Sequence, residues 1–164
     1  MAADDIEKGS SRARSAKAHD HPHPSLTEQH VIARGGWHPR YARVLATASD
    51  GDYGFALVDG NGDGAELEAE TWIWQDGSWV SAGSSGVGPL GHLGPRQTGG
   101  QIGDAYFTYG SAPGRQSISI DFDGRRHQVP VSRHGVWAFI KLRTDASAAN
   151  CLPPPLGDKD MGTP

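Results

Sequence analysis

The chain has 164 residues, a formal net charge of −4, and Leu, Ile, Val or Phe at only 28 positions. That leaves room for one modest core. Clustered Lys and Arg of the kind that grips nucleic acid are missing, and no run approaches the ~18 apolar residues of a membrane span, so neither a nucleic-acid nor a membrane partner is expected. The single cysteine, Cys151, excludes an internal disulfide framework and a multi-cysteine zinc site. No basic and apolar leader opens the chain, and the expected location is the cytoplasm.

The apolar residues are unevenly spread. Twenty-two of the 28 fall within residues 41–142, with four of the five Trp and all four Tyr. That segment is the expected domain, and residues 1–40 and 143–164 are the expected tails. Residues 1–25 are polar and read as disordered. Ser25 with Glu28 has the spacing of a capping box, which predicts one short helix through Ala33 that Gly35-Gly36 would stop. At the other end, Pro153-Pro154-Pro155 cannot join a ladder.

Between the tails the pattern is that of short strands. Arg43–Ala48, Tyr53–Asp59, Leu67–Gln75, Ser78–Ala82, Ala105–Tyr109, Ser117–Phe122, Arg125–Val131 and Val136–Leu142 are separated by Gly, Asp, Asn or Pro. This predicts an all-β fold, a single antiparallel β-sandwich of seven to eight strands. Two turns fix register. Asp123-Gly124 suits a type I′ hairpin and would set Ile118 opposite Val129 on one face and Asp121 opposite Arg126 on the other. Pro130 marks its strand as an edge or a bulge. Asp76-Gly77 likewise sets Ile73 opposite Val80 and Trp74 opposite Trp79. Here both faces are apolar, and Trp72, Trp74 and Trp79 share one of them. Either this hairpin is buried on both sides, or the tryptophan face is an open platform for a protein or carbohydrate ligand.

The run Trp74-Gln75-Asp76-Gly77-Ser78-Trp79 is followed by a glycine-rich loop, Tyr109-Gly110-Ser111-Ala112-Pro113, Phe122-Asp123-Gly124-Arg125, Val129-Pro130-Val131 and Gly135-Val136-Trp137-Ala138-Phe139. Over residues 40–142 this order resembles a family of small actinobacterial β-sandwich proteins of Ig-like type. The resemblance implies that fold. It implies no catalytic residue, because its motifs are turns and core positions.

Chemistry-bearing motifs are few. Gly86, Gly88 and Gly91 match a dinucleotide fingerprint, but Pro89, Gly94 and Pro95 forbid the helix it needs. His19, His21, His23 and His30 are a candidate metal cluster only by composition. Asp59-Gly60-Asn61-Gly62-Asp63-Gly64, with Glu70 six residues on, satisfies the pattern of a calcium loop. A strand over Leu67–Gln75 would carry Glu70 away, so Asp59, Asn61, Asp63 and Glu66 are the candidate calcium ligands. A hairpin loop built from turn-forming residues explains the same sequence. The stretch Gly83–Gly103 reads as a long loop, disordered or used for binding. The leading expectation is a non-catalytic β-sandwich module for interaction or structure. A weak calcium-binding version of it, or an enzyme with a site near Gly83–Gly103 and His92, are the alternatives.

Overall fold

Two turns carry the local geometry that the rest of the fold extends. Asp76 and Gly77 adopt φ of 51° and 78°, and Asp123 and Gly124 adopt 49° and 69°. Such left-handed pairs are what a type I′ hairpin requires. The computed structural model describes residues 23–95 and 99–143, and in them the chain is an all-β protein of antiparallel sheets. Residues 1–22 and 144–164 lie outside the described residues, and with them His19, His21, Cys151 and most of both expected tails.

Helix α1 (Glu28–Arg34) precedes β1 (Arg43–Asp50), β2 (Tyr53–Asp59), β3 (Leu67–Gln75) and β4 (Ser78–Gly88). These four strands form one sheet in chain order. After a 3-10 turn at Leu90–His92 come β5 (Gly100–Ile102), β6 (Ala105–Ser111), β7 (Ser117–Phe122), β8 (Arg125–Pro130) and β9 (Val136–Leu142). A second sheet has the order β5-β6-β9, and β7-β8 is a separate hairpin. Both expected registers occur: Ile118 pairs with Val129, Asp121 with Arg126, Ile73 with Val80 and Trp74 with Trp79.

Three apolar layers stack through the molecule. The middle one joins Leu45, Phe55, Leu57 and Leu67 of the first sheet to Ala105, Tyr109, Val136 and Ile140 of the second. Phe55 stacks on both Phe107 and Tyr109, at 4.7 and 5.0 Å between ring centroids. Outside the second sheet, Tyr106, Trp137 and Phe139 pack against Ile118, Ile120, Phe122 and Val129 of the β7–β8 hairpin. Outside the first, Val44, Ala56, Val58, Trp72 and Trp79 pack against Leu26 and Val31. Every residue of β2 from Gly54 to Asp59 is therefore buried, on both faces.

Three expectations change. The folded unit reaches back to His23 instead of starting at 41, because Leu26 and Val31 supply the outer cover of the first sheet. Its helix is capped by Thr27, not Ser25. The Thr27 hydroxyl accepts from the His30 amide at 3.3 Å, and His30 Nδ1 accepts from the Thr27 amide at 3.3 Å, so His30 stands where a capping box usually has Glu or Gln. Third, Gly83–Gly103 is mostly built into the fold. β4 continues to Gly88, and β5 adds a ninth strand among the described residues. Apolar alternation could not reveal that extension, because residues 80–86 are exposed and Ser84 instead donates to Glu68 Oε2 at 2.6 Å. Further on, Leu93 is buried and Gly94 O accepts from the Ser111 amide at 3.0 Å. The chain can settle here because Gly110 has no side chain. A Cβ there would lie 2.9 Å from Pro95 O and 2.7 Å from the Trp137 ring.

Candidate functional site

β1 ends the first sheet and β9 ends the second, so each presents an edge. The two edges run side by side in the same direction. At their C-terminal ends Asp50 ties them together: Oδ2 accepts from the Leu142 amide at 2.8 Å, and Oδ1 meets Lys141 Nζ at 2.8 Å. Towards their N-terminal ends the seam is open. A groove of about 380 Å³ lies there, floored by Val44, Leu45 and Ala46 of β1 and by Val136 and Ala138 of β9. Such a volume is at the small end of ligand pockets. The register of β1 against β2 slips between Val44 and Ala46, a bulge on the edge strand at the groove itself.

The groove has a polar rim. Arg133 and His134, in the turn between β8 and β9, face Glu28 of α1 across it. Arg133 Nη2 is 3.7 Å from Glu28 Oε2, and its Nε donates to His134 Nε2 at 3.1 Å. Both charged side chains are exposed, so this pair adds little stability and remains free to exchange partners. Nothing in the sequence announced the groove. Its lining comes from three stretches, Glu28, residues 44–47 and residues 130–138, that meet only in the fold.

The tryptophan face is closed. Trp72 and Trp79 are fully buried and Trp74 partly so, beneath residues 23–37. Trp79 Nε1 donates to Pro24 O at 3.0 Å, and His23 stacks on Trp74 with ring centroids 4.9 Å apart. The β3–β4 hairpin is thus neither buried twice nor an open platform. β4 is an edge strand, and Val80, on the side away from the tryptophans, is the exposed one.

Glu70, which completes the calcium-loop pattern in the sequence, shares that face. It is buried. Its Oε1 accepts from Trp37 Nε1 at 3.0 Å, whereas Oε2 and the Trp72 Nε1 complete no hydrogen bond among the described residues. Burial pushes its pKa above the ordinary carboxylate value; the Trp37 and Trp72 indoles oppose the rise, and the Glu68 charge adds to it.

The acidic loop is organised as a turn. Asp59 is buried, and its two carboxylate oxygens accept from the amides of Gly62 and Gly64 at 2.8 and 2.9 Å. Asp63 Oδ1 accepts from the Ala65 amide at 2.9 Å. Asn61, Asp63 and Glu66 are exposed, and Glu70 leaves along β3. No group of three or more His, Cys, Asp or Glu side chains is placed to hold a metal ion among the described residues. Of the four histidines, His23 lies against Trp74 and His30 caps α1, while His19 and His21 lie outside the described residues. His92 is exposed on the 3-10 turn. No helix among the described residues is long and apolar enough to cross a membrane. No family model matches the chain, and neither does any curated protein or solved structure.

Proposed function

We propose that the protein is a non-catalytic β-sandwich module of the Ig-like kind, and that it binds an extended polypeptide segment along the seam between β1 and β9. The observation that supports this most is the pairing of two unladdered sheet edges with a groove of about 380 Å³ over them. An edge strand offers a row of unpaired N–H and C=O groups, and an incoming extended chain satisfies them as a further strand. The apolar floor would take alternate side chains of that segment. Arg133 and Glu28 at the rim offer one charge of each sign for orienting it.

The test starts from an unbiased library of linear peptides panned on the full chain. Selected peptides are then titrated while backbone amide shifts are followed. Perturbations concentrated at residues 44–47 and 136–138 are expected, and Thr47→Lys, at a groove position outside the apolar clusters, should abolish them while the melting temperature holds. Failure to select any binder, or binders that perturb other surfaces, would contradict the reading.

A further inference from the structure

The contacts of His23 have a geometry that simple coverage of a core does not require. Its imidazole lies over Trp74 at 4.9 Å and 17° between planes, and is perpendicular to the Trp79 ring at 5.4 Å and 88°. The two indoles are themselves nearly perpendicular, 5.5 Å apart at 72°. On the third side, Asp52 Oδ1 meets His23 Nε2 at 3.0 Å. Two indole walls and one carboxylate are the elements that hold an organic cation, since a tryptophan face attracts positive charge within about 6 Å of its centroid. We infer that the recess bounded by Trp74, Trp79 and Asp52 is a recognition site for a compact organic cation such as a methylated ammonium, filled here by the chain's own His23.

The walls are set by the hairpin, although the Trp79 Nε1 also donates to Pro24 O, next to the occupant. Trp74 and Trp79 are a directly opposed pair in the β3–β4 hairpin, and its type I′ turn sets that pairing. The Trp74 amide donates to Asp52 O at 2.8 Å, so the β1–β2 turn is anchored beside the same indole. The site is preorganised in that sense, and preorganisation lowers the cost of binding. His23, by contrast, fits imperfectly. Its Nδ1 is buried and finds no hydrogen-bond partner among the described residues, an unfavourable arrangement that a ligand without a second polar nitrogen would relieve. Access exists on the carboxylate side, where the Asp52 side chain is 48% exposed against 16% for His23. An external cation therefore competes with His23 for the recess, and its apparent affinity is reduced by the fraction of time His23 is in place.

The experiment compares the full wild-type chain with His23→Ala, using tetramethylammonium and a peptide carrying trimethyllysine as probes. The neutral isostere neopentyl alcohol and sodium chloride of equal ionic strength are the controls. Tryptophan fluorescence and melting temperature are both read. In His23→Ala, either cation should give a saturable fluorescence change and a rise in melting temperature. Adding Asp52→Asn should weaken binding several-fold. Equal affinities for the two probes would indicate a free cation as ligand, and tighter binding of the peptide a cation borne on a polypeptide. The wild-type chain should show the same response at higher concentration. It also decides the matter if His23→Ala fails to fold. No saturable response in the folded chains, or an equal response to the neutral isostere, would overturn the proposal. This result is independent of the β1–β9 groove, which shares none of these residues.

Discussion

The two outer covers of the molecule solve one problem in different ways. The β7–β8 hairpin covers the second sheet with Ile118, Ile120, Phe122 and Val129, aligned on one face by the period-two pleat. Asp121 and Arg126 stay on its outer face, while His127, opposite Ile120, packs inward against the rings of Phe122 and Phe139. Residues 23–37 cover the first sheet with Leu26 and Val31, but they also bring polar groups inward. Trp37 reaches Glu70, Pro24 O takes the Trp79 indole N–H, and His23 sits between two tryptophans. Three of the buried side-chain atoms without a partner lie under this cover, on His23, Glu70 and Trp72. Among the described residues the layer under the β7–β8 hairpin leaves one such atom, Trp137 Nε1, so the cover that seals a polar face carries most of this debt, and polar contacts of this kind are where function or opening is found.

The largest effect should come from the apolar cover. Phe122 touches the rings of Tyr106 and Phe139, at 6.3 and 5.7 Å. Phe122→Ala is expected to cost about 3–5 kcal/mol in urea unfolding. On the other cover, Leu26→Ala should cost about 2 kcal/mol or somewhat more, as a buried leucine does. An effect near zero at Leu26 would mean that residues 23–37 are only loosely docked.

These two covers also differ in how far the sequence discloses them. The β7–β8 hairpin is readable residue by residue, since Asp123-Gly124 fixes the turn and alternation fixes the face within some fifteen positions. The N-terminal cover is not. Its contacts join His23 to Asp52, Trp37 to Glu70 and Pro24 to Trp79, across 29 to 55 residues, and no local period reports such pairings. Its polar composition reads as a tail, although Leu26 and Val31 suffice to anchor it. The same limit applies to Asp59. A pattern of alternate oxygens suits a cation and a turn alike, and only the fold reveals that its carboxylate caps the Gly62 and Gly64 amides. The groove was illegible for a different reason, because two sheet edges become neighbours only once both sheets exist.

Smaller effects sharpen the contrast. Trp37→Phe keeps an aromatic ring but removes the N–H from which Glu70 Oε1 accepts, and should destabilise by about 1–3 kcal/mol by leaving a buried carboxyl without that donor, in addition to the packing lost with the larger indole. A negligible change on calorimetry would show that the hydrogen bond is not retained in solution. The smallest effect is expected on the hairpin's outer face. Arg126 Nε and Nη2 donate to the two Asp121 oxygens at 3.0 and 3.3 Å, which holds that carboxyl below its ordinary pKa. Both side chains are well exposed, so Asp121→Asn should leave the thermal melt almost unchanged, and a substantial loss would reveal a role in packing that the exposed pair does not show.

The difference between the covers is tested most directly by hydrogen exchange as a function of pH. Glu70 is held above its ordinary value of 4.5 mainly by burial beneath residues 23–37. The covered state thus binds more protons than the open one. The covering contribution is complete below that ordinary value and is lost as pH rises through the raised pKa. Opening free energies, corrected for intrinsic exchange, can be read at the Val31 amide, bonded to Thr27 O at 3.1 Å, and at the Val131 amide, bonded to Gln116 O at 2.9 Å. From pH 4.5 to pH 7 the value at Val31 should fall while that at Val131 holds steady, and Glu70→Gln should abolish the fall. A constant value at Val31, or an equal fall at both amides, would contradict the account.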